Sequence, residues 1–206
     1  MEFYQTVKQE AFGEFTEQRS KFIGYVKPVT SEEQALEFIN EKKKFHWDAT
    51  HNVYAYRIRK DGIQRCSDDG EPHGTAGVPA LDVLLKSGVT DCVIVVTRYF
   101  GGILLGAGGL IRAYTRGAKE ALAAGKIITM EKCLKASLRC DYTYYGKIAG
   151  LIPSCNGKID DTQFNDAVDI SYHIFPESFL DFQQKLADVT NGTVQTDYTD
   201  EEYYQK

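Results

Sequence analysis

The 206 residues predict an α+β protein built as two units, and two patterns carry that expectation. Through residue 125 the hydrophobic periods follow the order strands, helix, strand, helix, strand, helix, which suits helices laid against one sheet. From Cys133 onward the order is strand, helix, two strands, helix, strand, a complete βαββαβ set. Charge divides at the same place. Residues 1–125 hold 16 Lys and Arg against 16 Asp and Glu, whereas residues 126–206 hold 8 against 13, so the net charge of −5 arises wholly in the second part. Domains are therefore expected over 1–125 and 132–206, with the joint between Gly125 and Lys132.

Each element has its own local reason. "EAFGEFTEQRSKFIGYVKPV" alternates aromatic and polar residues, which predicts two antiparallel strands with bends or bulges at Gly13 and Gly24. Thr30 and Glu33 have the spacing of a capping box, so a helix is expected from there to about Phe45. "HNVYAYRIR" reads as a strand, and "VPALDVLLKSG" as a short helix with Pro79 in its first turn and Gly88 past its end. "DCVIVVTRYF" is apolar at consecutive positions, the pattern of a central strand buried on both faces. Leu110, Ile111, Tyr114, Ala118, Ala121 and Leu122 then form one stripe of a helix ending at Gly125, with Arg112, Arg116 and Lys119 on its other side. In the second unit, "CLKASLRC", the residues around Ile159 and "VDISYHIF" read as strands. "YTYYGKIAGLI" and "PESFLDFQQKLADVT" read as helices, and a turn at Asn191 and Gly192 leads to a final strand.

Composition narrows the function. Hydrophobic residues at 43% and charged residues at 26% exclude a disordered chain. No apolar run reaches the ~20 residues that span a bilayer, and the N-terminus lacks the basic start and apolar stretch of a secretion signal. A cytoplasmic protein with no membrane partner is expected. The five cysteines are odd in number and none pair at zinc-knuckle or redox spacing, so reduced thiols are expected.

Two stretches concentrate chemistry. "YFGGILLGAGGLIRAYTRG" puts Gly101, Gly102, Gly106, Gly108 and Gly109 within nine residues and then enters a helix. Gly101 and Gly106 have the glycine spacing of a phosphate-binding loop, but Ala107 and Gly108 stand where its Lys and Ser or Thr belong. Ile111 occupies the third glycine position of a dinucleotide fingerprint. The glycines then serve either to pack backbone closely or to open a helix N-terminus on which Arg98, Arg112 and Arg116 can meet an anion. In "SDDGEPHGTAG", Asp68, Asp69, Glu71 and His73 could form an oxygen-rich metal site or an acid/base pair. The favoured alternative is a hydrogen-bonded loop in which the aspartates cap turns and a carboxylate holds His73. His46, Trp47 and His51 are expected in or beside the core.

"SDDGEPHGTAGVPALDVLL" followed by "VVTRYFGGILLGAGGLIRAYTRGA" resembles the signature of the Impact family, also called YigZ-like or UPF0029. The resemblance covers about the first 125 residues, and the tail is similar to the smaller C-terminal domain of bacterial members. It implies a first unit like domain 2 of ribosomal protein S5 and a ferredoxin-like second unit similar to the C-terminal domains of elongation factor G. Eukaryotic relatives bind the Gcn1 protein and restrain the kinase Gcn2, through a protein that also has an RWD domain absent here. The residues matching the pattern are Asp68, Asp69, Gly70, Glu71, Pro72, Gly74, Thr75 and Ala76, then Arg98, Tyr99, Gly101, Gly102, Leu105, Gly106, Gly109, Leu110, Arg112 and Tyr114. No catalytic set comes with them.

The expectation is a noncatalytic regulator linked to translation that binds RNA, ribosomes or a translation factor through its first unit, with no cofactor and no metal. The alternatives are an enzyme using both stretches as a phosphate or metal pocket, and a protein-binding adaptor. The binding candidates are Asp68, Asp69, Glu71, His73, Thr75, Arg98, Tyr99, Gly101, Gly102, Gly106, Gly109, Arg112 and Arg116.

Overall fold

A computed structural model of the chain describes residues 3–60 and 62–206. The elements run β1 (Phe3–Val7), β2 (Ala11–Glu17), β3 (Ser20–Pro28), α1 (Glu32–Phe45), β4 (His51–Ile58), β5 (Ile63–Ser67), α2 (Gly77–Lys86), β6 (Cys92–Tyr99) and α3 (Gly106–Gly125). They continue with β7 (Ile127–Cys140), α4 (Tyr142–Ser154), β8 (Gly157–Phe164), β9 (Val168–Ile174), α5 (Pro176–Thr190) and β10 (Asp197–Gln205). The chain is thus mixed α+β, and it falls into two compact units, Tyr4–Thr129 and, with Phe3, Met130–Lys206.

The first unit is organised by an antiparallel sheet in the order β2-β3-β6-β4-β5. Central β6 is buried along its length up to Tyr99 because both of its faces are covered. Side chains alternate across a strand. Cys92, Ile94 and Val96 accordingly join Ala80, Leu84, Leu110 and Tyr114 from α2 and α3, while Val93 and Val95 join Ala35, Phe38 and Ile39 from α1.

Local readings need five corrections, the first at Trp47, which is expected in or beside the core but is 83% exposed. Gly13 and Gly24 face each other in unbroken register and make no bulge. Instead they admit α3, since a methyl at Gly24 would lie 2.2 Å from the Gly117 carbonyl oxygen. The helix cap is Ser31, whose hydroxyl accepts from the Gln34 N–H at 3.3 Å, while the Gln34 side chain accepts from the Thr30 N–H at 2.8 Å. The expected box is shifted by one residue because Gln34 takes the place assigned to Glu33. Ile111 is 42% exposed, and the buried stripe of α3 passes through Ala113 and Gly117, small residues with little hydrophobic signal. Strands β1 and β5 have no counterpart in the periodicity; β5 exists through its pairing with β4, with Gln64 and Arg65 exposed.

The other sheet runs β1-β7-β9-β8, with β10 also paired to β7. Around β7 the neighbours β9 and β10 are antiparallel to it, and β8 is antiparallel to β9. Leu134, Ala136, Leu138 and Cys140 alternate inward from β7 and meet Ile148 and Ile152 of α4 and Phe179, Phe182 and Leu186 of α5. Helix α5 stops at Asn191, which is left-handed at φ 51°, beside the expected turn.

Candidate functional site

The acidic loop between β5 and α2 is organised by two aspartates with different tasks. Asp68 lies at the start of α2 and accepts from the backbone N–H groups of Gly74 (2.8 Å), Ala76 (3.1 Å) and Gly77 (2.8 Å). Burial pushes its carboxyl up, but these three donors outweigh that and hold it below the ordinary carboxylate range. Asp69, at φ 47°, fastens the loop outward: its carboxylate takes Lys43 Nζ at 2.6 Å and the Asn52 N–H at 2.7 Å. Thr75 is buried and donates to the Pro72 carbonyl at 2.7 Å. His73 points fully into solvent, with Nδ1 3.8 Å from Asp68. Among the described residues no three His, Cys, Asp or Glu side chains converge in a way that would hold a metal ion.

This loop delivers Glu71 to the interior. Glu71 Oε1 accepts from Arg98 Nη1 and from the Tyr114 hydroxyl, both at 2.6 Å, with the glutamate side chain 3% exposed. Burial first, then the bond to Glu71, pushes the Tyr114 phenol far up, so it stays a proton donor. Arg98 comes from the end of β6, and its Nη2 reaches Ser20 Oγ at 3.4 Å. The same hydroxyl accepts from the Gly101 N–H at 3.2 Å. Gly101 is required there because a methyl would lie 2.1 Å from the Arg19 backbone.

Beside this ion pair opens a cavity of about 370 Å³, lined by His51, Glu71, Arg98, Phe100, Leu104, Gly106 and Ala107 among others. His51 Nδ1 is 2.8 Å from the Asp69 carbonyl, which can only accept, so Nδ1 carries the hydrogen. Nε2 is then left facing Glu71 Oε1 at 3.8 Å. The lining also includes the N-terminus of α3, where Leu105 supplies no side-chain cap and Gly106 takes φ 69° to turn the chain into the helix. Its free N–H groups favour negative charge.

The sequence-derived candidates thus separate. Glu71, Arg98 and Gly106 meet in the cavity, and Gly109, Arg112 and Arg116 line a smaller pocket of about 170 Å³ with Phe15 and Gln18. Arg112 is exposed and makes no ion pair or hydrogen bond among the described residues, while Arg116 pairs with Glu120 at 2.8 Å and lies over the Phe15 ring. Asp68, Asp69 and Thr75 hold the loop, and Gly101 and Gly102 shape the turn after β6. Tyr99 belongs to a separate chain, in which it donates to Asp48 at 3.1 Å, His46 Nδ1 donates to it at 2.8 Å, and Tyr25 donates to His46 Nε2 at 2.7 Å. The placement of Ser20 and His51 had no local signal. Both reach the site through sheet register, which pairs Phe22 and His51 with Arg98 on either side of β6.

These features define a class: a two-unit α+β protein whose first unit closes a buried glutamate–arginine pair beneath a glycine-opened helix. The chain matches the Impact N-terminal domain over residues 18–122 and a domain of unknown function, DUF1949, over residues 138–193. It is 40% identical over 190 residues to the IMPACT family member YvyE of Bacillus subtilis, covering 92% of this chain and 88% of that one. It is 36% identical to the family member YigZ of Escherichia coli, covering 86% and 88%. Protein IMPACT-A of Xenopus tropicalis shares 43% identity over 98 residues, 44% of this chain and 30% of that protein. A crystal structure titled only as a hypothetical protein superposes with a TM-score of 0.62 at 33% identity, covering 98% of this chain and all of that one. The chain belongs to the Impact family.

Proposed function

We propose that the protein is a noncatalytic regulator of translation that binds ribosomal particles through their RNA, using the entrance of α3. The observation that carries this reading is the surface around that entrance: an uncapped helix N-terminus, the exposed Arg112 beside it, and Phe100 and Leu104 at its rim, Leu104 being 84% exposed. Bare N–H groups and a guanidinium suit phosphate, and exposed apolar side chains suit unstacked bases. The translational link is the one the family resemblance implies, and the stretch shared with the Xenopus protein supports it. The S5 domain 2-like and ferredoxin-like assignments belong to the same reading; the latter is supported by the βαββαβ order and the antiparallel neighbours of β7. So does a cytoplasmic site of action. Among the described residues no helix is long and apolar enough to cross a membrane.

Binding of the full chain to ribosomal particles and to a structured RNA, measured across a salt series, tests the proposal. Arg112→Ala and Leu104→Ser should each weaken binding roughly tenfold, and Arg112→Ala should also lower the salt slope by about one. Folded variants that bind as the parent does, or binding that ignores salt, would overturn it.

A further inference from the structure

A second surface of the first unit shares only Arg112, at its edge, with that reading. Between α2 and α3 runs a trough of about 710 Å³ with a floor of Val78, Pro79, Val83, Ile111, Leu122 and Ile127. Val78 and Ile111, on helices whose other sides are packed on the sheet, remain 48% and 42% exposed, and Ile127 at the start of β7 is 44% exposed, so the strip of apolar surface is uncovered. Small residues, Thr115 and Ala123, lie between the large ones and leave room for another backbone to approach.

The rim is cationic. Lys86 is engaged with Asp82 at 3.3 Å, but Lys119 makes no ion pair or hydrogen bond among the described residues. The trough shares Ile111, Thr115 and Lys119 with a neighbouring depression that adds Arg112, Arg116 and Glu120. This face therefore carries four cations against two acids in a chain of net charge −5. The floor is aliphatic, with no ring on which a base could stack, which favours a peptide over a nucleic acid. The acidic helix of the chain itself, α5, already buries its apolar stripe of Phe179, Phe182 and Leu186 in its own core. We infer that this trough is a docking groove for an amphipathic helix with acidic flanks, supplied by a partner protein.

The test uses the full chain and a labelled synthetic peptide of about 15 residues, with leucines at helical spacing and glutamates on the flanks. A matched peptide carries lysines in place of the glutamates. The acidic peptide should bind about tenfold tighter than the basic one, a preference that Lys119→Glu should abolish. Val78→Ser should weaken both. Equal binding of the two peptides, or unchanged binding by folded variants, would overturn the assignment. So would sedimentation showing a dimer that excludes the peptide, or a structured RNA that displaces it. Neither Lys119 nor Val78 lines the α3 entrance cavity. Ribosome binding that survives in these variants separates a failure here from a failure of the function proposed above.

Discussion

Glu71 gathers charge from distant parts of the chain: Arg98 lies 27 positions away and Tyr114 lies 43 away, yet both meet the same oxygen at 2.6 Å. A buried pair of this kind is costly to break because the survivor is left charged without a partner. Glu71→Ala should therefore lower stability by about 3–5 kcal/mol, and Arg98→Ala by a similar amount, read from urea unfolding. Changes below ~1 kcal/mol would mean that the pair is open to water. His46 gives a pH prediction. Burial lowers its pKa, the Asp48 carboxylate opposes that, and Lys42 and Lys21 add to the lowering, so the neutral ring is the one the fold accepts. The unfolded chain then binds the extra proton first. The contribution is complete above the unfolded value of 6.5 and is lost as pH falls from there through the folded value. Unfolding curves from about pH 7.5 to about pH 5 should show a slope that His46→Phe removes.

Helix α3 illustrates how glycines with the same local appearance have different tasks. Gly24 and Gly117 touch across the seam between hairpin and helix, and a methyl at Gly117 would lie 2.9 Å from Val96 Cγ1. Gly24→Ala must push α3 off the sheet, so a loss of at least ~2 kcal/mol is expected, in the range of overpacked cores. Gly108 lies inside the first turn of the same helix, and the nearest atom to its absent methyl is Arg112 Nη1 at 3.5 Å. Gly108→Ala should stabilise the protein by about 0.5–1 kcal/mol, because alanine restricts the unfolded chain and suits the helix. Thermal unfolding of the two variants in parallel checks both signs. An equal effect in each would mean that the contact at Gly24 yields without cost.

The two units carry separate cores. The clusters of the first contain only residues up to Leu122, and the cluster of the second starts at Leu134. Between them β7 begins at Ile127 and runs unbroken to Cys140, so the expected joint from Gly125 to Lys132 lies largely inside a strand. We propose that residues 1–129 fold without the remainder. A fragment of that length should show cooperative unfolding and dispersed amide resonances. A fragment that stays unfolded while the full chain folds would show that the cores depend on each other.

Periodicity was enough to place α1, α2, α3, β6 and the βαββαβ order after Cys133, because a helix stripe or a doubly buried strand is written into neighbouring residues. Strand β5 was not legible, since its pairing with β4 supplies what its composition lacks. The motif stretches marked out Glu71, Arg98 and Gly106, but nothing local told a buried arginine from an exposed one. Arg98 and Arg112 differ because β6 ends inside two packed layers while α3 turns one side to solvent. That distinction depends on which strands are neighbours and how closely α3 sits on them, a matter of register and of contacts such as Gly24 with Gly117. The amino-acid order chose the chemical groups and the elements that carry them. The packing of those elements chose which groups meet, because burial and pairing are properties of residues far apart in the chain.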